Sequence, residues 1–412
     1  MKRPVLLIII VTLISTSSIS ITYGRGNSGP GMAAPKSISD VWGKDKCSGT
    51  STKITHGIID PEKVSYFVPM GAMLSSHITP IDHIYAYFPG DAGQPISKPS
   101  GSYLVTSPAD GQIISVEDFA KTNQYPYPDY RVVISHSCNL YSVFIHVGKL
   151  TGAAASIVSK IGSRGDWSGK VAVKGGAAIA DDSEHPNFDY SIFDGTKKLK
   201  GFINLKSYAQ AEQWKPWTAD ILNYLPKSIK SAYEEKFLST TAPIGGKIDW
   251  DISKSAQGNW FLKNTNGYRG VAKLGASYNN HGRVARGTWD THLAIAPDAI
   301  DRDTSIFSIG NWEGCPCQFV SKDPSVTGLT ITSSSGVTVV ELTEFEFYLP
   351  TGERVDRGRP TKGYKVVSIG PVVGLLALQV NADGTMKVEK LPGKTSRSEF
   401  TNFSSSAKVY TR

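Results

Sequence analysis

A turn caught between two apolar runs limits what this chain can fold into. Residues 104–116 read Leu104-Val105-Thr106-Ser107-Pro108-Ala109-Asp110-Gly111-Gln112-Ile113-Ile114-Ser115-Val116. The flanks are rich in β-branched residues, which suit a pleated surface. Between them, Pro108 fixes its own φ, Asp110 can bond nearby backbone amides, and Gly111 tolerates conformations closed to other residues. The stretch predicts a β-hairpin in an all-β core. Composition agrees: 40 Gly, 23 Pro and 18 Tyr favour β structure with many turns. A chain of 412 residues suits two or three domains, and 40% hydrophobic against 19% charged residues excludes a disordered polymer.

Residues 1–24 read as an export signal: Lys2 and Arg3, an apolar run over 5–14, then Ser15, Ser17, Ser18 and Ser20. The apolar run is short for a membrane span, so an uncleaved anchor is the alternative. Residues 25–57, rich in Gly, Ser and Lys, read as a linker. Residues 58–200 carry short apolar runs between turn residues and predict a first β domain. Its hairpins are expected around His136 and between residues 170–174 and 177–180. Residues 201–241 have helical composition at 208–214 and 229–237, broken by Pro216 and Pro226, and predict a helical bridge. Trp214 and Trp217 there read as packing anchors. Residues 242–412 return to β patterning and predict a second antiparallel sandwich or barrel. Candidate strands include 293–296, 306–309, 329–332, 337–342 and 372–380, and Asp383-Gly384 marks a hairpin turn.

The net charge of +8 is spread along the chain with no nucleic-acid motif, so it reads as a solvated basic surface. Four cysteines, Cys47, Cys138, Cys315 and Cys317, permit disulfides in an exported protein but leave the pairing open. Cys315-Pro316-Cys317 lacks the second pair that a zinc knuckle needs. Asn402-Phe403-Ser404 fits the glycosylation acceptor pattern.

Four segments of the first β region resemble the lysostaphin-type zinc endopeptidases. Thr106 to Ile113 is similar to that family's Ala-Pro-Ala-Asp-Gly hairpin. Tyr141-Ser142-Val143-Phe144-Ile145-His146 is similar to its Tyr-Ala-His segment. Residues 171–179 are similar to its Val-x-x-Gly-x-x-Ile run, and Asn187-Phe188-Asp189 stands where it has His-x-His. The likeness spans residues 80–195. It implies a compact antiparallel β domain with a zinc site of three ligands, whose open fourth position lowers the pKa of a bound water to about 7.

On that resemblance His83 falls at the first ligand position, and Tyr87 replaces the ligand Asp. His146 falls at a water-assisting, candidate catalytic position. Asn187 replaces the first His of His-x-His, and Asp189 replaces the ligand His. His83 and Asp189 are then the remaining candidate metal ligands, with Asp82, His77 and His185 as possible substitutes. On the bare residues, His83 and His146 read first as structural histidines. The expected protein is an exported envelope or extracellular component with a degenerate, non-catalytic peptidase-like domain. It would bind a peptide, glycan or protein partner in a groove of His83, Tyr87, His146, Asn187 and Asp189. No cofactor is expected, with zinc if the site is rebuilt. No nucleic acid is expected, and membrane contact comes only through an uncleaved signal. The alternatives are an active zinc endopeptidase acting on peptidoglycan and a self-associating structural surface component.

Overall fold

The computed structural model describes residues 35–89, 102–123, 127–271, 288–357 and 359–412. The expected export signal lies outside them, as does the start of the linker. Among the described residues no helix is long and apolar enough to cross a membrane.

Structure is mainly β, in two bodies. The first holds β1 (Tyr66–Val68), β2 (Ile84–Tyr87), β3 (Leu104–Thr106), β4 (Gly111–Asp118), β5 (Tyr130–Ser135), β6 (Leu140–Val147), β7 (Lys149–Leu150), β8 (Asp166–Val173), β9 (Ala178–Asp181), β10 (Asn187–Asp194) and β11 (Thr218–Ala219). A large antiparallel sheet runs β1-β2-β10-β6-β5-β4-β8, with β11 also on β10, and a small one runs β3-β9-β7. The β5–β6 hairpin around His136 forms as the sequence predicts.

The two other expected hairpins do not form. β3 and β4 lie in different sheets, as do β8 and β9. β4 pairs with β8 in the large sheet, and β3 pairs with β9 in the small one. Pro108–Gly111 and the Gly175-Gly176 step therefore lie side by side, and a two-stranded ribbon bends across both. Asp110 clasps this corner: its carboxylate accepts from the Gly175 amide at 2.9 Å and pairs with the Lys174 ammonium at 2.8 Å. Gly176 donates to the Ser107 carbonyl at 2.8 Å and adopts φ +78°, which disfavours a side chain. Turn residues signal a reversal, but which strand the chain then meets is decided by distant partners.

Side chains alternate across the large sheet. One face, with Ile84, Phe144, Phe188, Tyr190 and Ile134, packs into the main core. The opposite face carries Tyr85, Asp189, Ser191, Val143, Ile145, Arg131 and Glu117. One end of it is covered by Ile38, Val41, Trp42 and Trp217. The described part of the Gly- and Ser-rich stretch ahead of the first domain is thus packed, and Cys47 joins Cys138.

The bridge contains one α-helix of ten residues, Lys227–Lys236; residues 208–214 form turns between the short 3-10 segments Leu205–Tyr208 and Lys215–Trp217. Pro216 and the demands of burying Trp217 and Lys215 outweigh helical composition there. The second body holds β12 (Gly258–Leu262), β13 (His292–Pro297), β14 (Ser305–Trp312), β15 (Cys315–Ser321), β16 (Thr338–Tyr348), β17 (Arg354–Val355), β18 (Lys365–Val380), β19 (Met386–Pro392) and β20 (Lys408–Thr411). Eight of these close into a barrel because β15 pairs with β16, and β17 hangs on β16. Trp260, Phe307, Leu376 and Met386 fill its interior. Residues 329–332 form no strand, only one bridge from Thr332 to Ser255. The barrel wall, through Ala294, Ala296 and Phe345, packs with Met73, Ile81, Tyr66 and Tyr85 of the first body.

The disulfide closes a loop of 91 residues across the first domain. Replacing both Cys47 and Cys138 with Ser is expected to cost about 2–4 kcal/mol in chemical denaturation. A loss under about 0.5 kcal/mol would mean that Ile38 and Trp42 hold the segment unaided.

Candidate functional site

The face of the large sheet that turns from the main core gathers most of the residues singled out in the sequence. Asp189 sits in the middle of β10, opposite Tyr85 of β2 and Ile145 of β6. Asn187, two residues earlier, is the register partner of Tyr87. His83 lies just ahead of β2, and its Nε2 is 3.5 Å from Asp189 Oδ2. His146 stands near the end of β6 with φ +60°, a left-handed conformation that costs a non-glycine residue roughly 1–3 kcal/mol and collects at functional sites. Asp129 holds it there: both carboxylate oxygens lie 3.1 Å from His146 Nδ1.

Asp82 belongs to the same cluster. Strand alternation would send Asp82 and His83 to opposite faces, but both precede β2, and His83 Nδ1 donates to Asp82 Oδ1 at 3.2 Å. The other Asp82 oxygen accepts from the Trp214 indole at 2.7 Å. Lys215 reaches Asp82 at 3.9 Å, pairs closely with Glu212, and lies 4.8 Å from the Tyr268 ring centre. A buried chain of charged and polar groups thus runs Glu212, Lys215, Asp82, His83, Asp189. Arg131 and Glu117 pair beside it at 2.9 Å. His77 stacks edge-on against His83 at 5.8 Å between ring centres. His185 stays apart, donating from Nε2 to the Pro128 carbonyl at 2.7 Å.

Burial sets the electrostatics. It works against the Asp82 anion, but Lys215, His83 and Trp214 together hold that carboxyl well below its usual range. Burial raises Asp189 despite His83 and His146, and raises Asp182 strongly with Asp129, Asp181 and Asp189 adding to it. Burial would lower His146, yet the Asp129 hydrogen bond and the Asp189 charge leave it above the ordinary imidazole value. Burial beside His83 and Lys215 pushes His77 down to about 3, so it stays neutral.

The deep end of this face is sealed. Asp82, His83, Asp189 and Lys215 are buried, and the cavity that Asp82, His83 and Lys215 line with Trp214, Arg131 and Tyr268 holds about 40 Å³. That is room for a few water molecules. The opposite end is shallower: Tyr87, Asn187 and His146 are each half-buried, and Tyr87 stacks on Tyr66 at 4.8 Å. The five groove residues read from the sequence therefore divide into a floor, His83 and Asp189, and a rim, Tyr87, Asn187 and His146.

Zinc, which the family resemblance implies, fits this donor set poorly. The His83–Asp189 separation suits two ligands of one ion at about 2.0–2.2 Å each, but a catalytic zinc takes three. On that resemblance Tyr87 stands at the place of the third donor, and among the described residues no three His, Cys, Asp or Glu side chains converge on a metal position. No family model and no curated protein matches this chain.

Sequence reasoning missed Asp129, Glu212 and Lys215. Glu212 and Lys215 carried a signal, an oppositely charged pair three residues apart inside an aromatic, proline-containing stretch. Asp129 carried none.

Lys215→Met is expected to cost about 3–5 kcal/mol, because it strands two buried carboxyls, and Glu212→Gln in the same chain should recover part of that loss. Urea denaturation of the three proteins measures it, and a loss below about 1 kcal/mol would remove the ammonium as a structural tie. His146 supplies stability that is complete below the unfolded value of 6.5 and drains as pH rises through its raised folded value. The stability difference between wild type and His146→Gln should therefore be larger near pH ~5.5 than near pH ~9.

Proposed function

We propose that this is an exported, non-catalytic binding protein of the cell envelope or extracellular space. Its first β domain holds a peptide, glycan or protein partner at the rim formed by Tyr87, Asn187 and His146. One observation carries this reading. Tyr87 and Asn187 face each other across β2 and β10, partly buried, and the sequence resemblance sets them where a lysostaphin-type centre has an Asp ligand and a His. Neither side chain is a base at neutral pH, and both are suited to recognition. A tyrosine ring offers a flat apolar face with a hydroxyl at its edge, and an amide offers donors and an acceptor together. His146, held by Asp129 and shifted towards its protonated form, adds a donor on the same side of the domain.

The Tyr66–Tyr87 stack widens the aromatic surface and keeps it rigid before a ligand arrives, which limits the entropy lost on binding. The charged groups beneath serve as a fixed floor.

A second reading rests on a separate observation. His83 Nε2 is buried without a hydrogen-bond partner and faces Asp189. A zinc endopeptidase acting on peptidoglycan peptides would use that pair, and it needs a third donor that the described residues do not bring together. Elemental mass spectrometry on wild type and His83→Ala separates the two: near-stoichiometric zinc lost in the variant would revive the peptidase.

For the leading reading, full-length protein is screened against peptidoglycan fragments, other oligosaccharides and synthetic peptides, and hits are followed by calorimetry. Tyr87→Ala and His146→Ala should each weaken Kd by about tenfold or more while leaving the circular dichroism spectrum intact. Unchanged affinity in both would remove the rim.

A further inference from the structure

The barrel carries a second chemically distinctive feature, remote from the rim in sequence and independent of the reading above. Cys315 and Cys317 are free thiols, each half-buried, in a chain that has joined Cys47 to Cys138. They open β15, directly after the tight turn of Glu313 (φ +51°) and Gly314 (φ +88°) that connects it to β14. Residues two apart on a strand point to the same face, so the two thiols are neighbours at one end of the barrel. Cys317 packs against the barrel core, and Cys315 lies opposite Trp312.

The backbone here is irregular. Ile309 partners Cys317 and Trp312 partners Cys315, so three steps along β14 answer two along β15. Pro316, between the cysteines, has no amide hydrogen to give to a ladder. Two steps along a regular strand span roughly 6.4–6.8 Å. That is the upper end of the ~4.4–6.8 Å that a disulfide bridges between Cα atoms. The extra residue lies in β14 across from the cysteines, so the ladder is interrupted there, and with no amide hydrogen on Pro316 fewer ladder bonds hold the two cysteines at full strand spacing.

We propose that Cys315 and Cys317 form a thiol–disulfide exchange site for external low-molecular-weight disulfides. The Cys315 thiolate attacks one sulfur of the disulfide; that S–S bond breaks, a mixed disulfide forms on Cys315, and one thiolate leaves. The Cys317 sulfur then attacks the Cys315 sulfur, the mixed disulfide breaks, and a second thiolate leaves. The external disulfide is reduced to two thiols, the protein dithiol is oxidised to one disulfide, and the protons lost by the two cysteines end on the leaving thiolates. Burial pushes the Cys317 thiol up to about 11, with Cys315, Glu313 and Glu344 adding to it. Cys317 is therefore disfavoured as the first attacker, and it gives up its proton as it attacks the neighbouring Cys315 sulfur in the second step.

The test uses the full-length protein and oxidised glutathione under native conditions, quenched with acid. Free thiols are counted with a maleimide and adducts are read by intact mass. Wild type should lose both thiols and finish without glutathione. Cys317→Ser should trap one glutathione on Cys315, and Cys315→Ser should react about tenfold more slowly or worse. Retention of both thiols by folded wild type, while unfolded wild type reacts, would overturn the proposal. So would a stable glutathione adduct on wild type, since it would mean that Cys317 does not resolve.

Discussion

A lysine ammonium with almost no access to water must be surrounded by compensating groups, because stripping its hydration costs several kcal/mol. Lys215 finds them on three separate parts of the chain. Glu212 belongs to its own bridge, Asp82 precedes β2 of the first domain, and Tyr268 comes from the segment between barrel strands β12 and β13. None of these groups could be buried alone. Asp82 in turn orients His83 and accepts the Trp214 indole. One cation therefore fixes how bridge, sheet and barrel meet, and the sealed end of the sheet face follows from it.

The same tie bears on the open hydrolytic site that the sequence resemblance implies. A hydrolytic groove must leave its reacting centre open to a substrate chain. Here the centre of the face is spent on internal charge compensation, while the partly buried Tyr87, Asn187 and His146 lie at its margin. A left-handed His146 pinned by a buried carboxylate is costly to maintain. It is understandable where its imidazole must point in a particular direction.

Much of the architecture was legible in the sequence because strand signals are local. Alternating apolar residues gave the β5–β6 pair, the Asp383-Gly384 hairpin and most barrel strands. Closure of the barrel was not legible, since it depends on β15 meeting β16 at Val320 and Thr343. The short helix read over 208–214 failed because burial of Lys215 and Trp217 overrode propensity. At the site, a linear motif identified His83, His146 and Asp189 as companions. It could not supply Lys215 or Asp129, which arrive from segments with no motif of their own.

The bent ribbon at Asp110 and Gly175 has a bearing on how such a domain can change length over evolution. Each of its two segments serves both sheets, so an extra residue in one would slip its register against the other and turn inward side chains outward. Only a matching insertion in the second segment would restore the pairing. Insertions and deletions should therefore be tolerated in the connections that leave this fold line and be rare, or paired, along it.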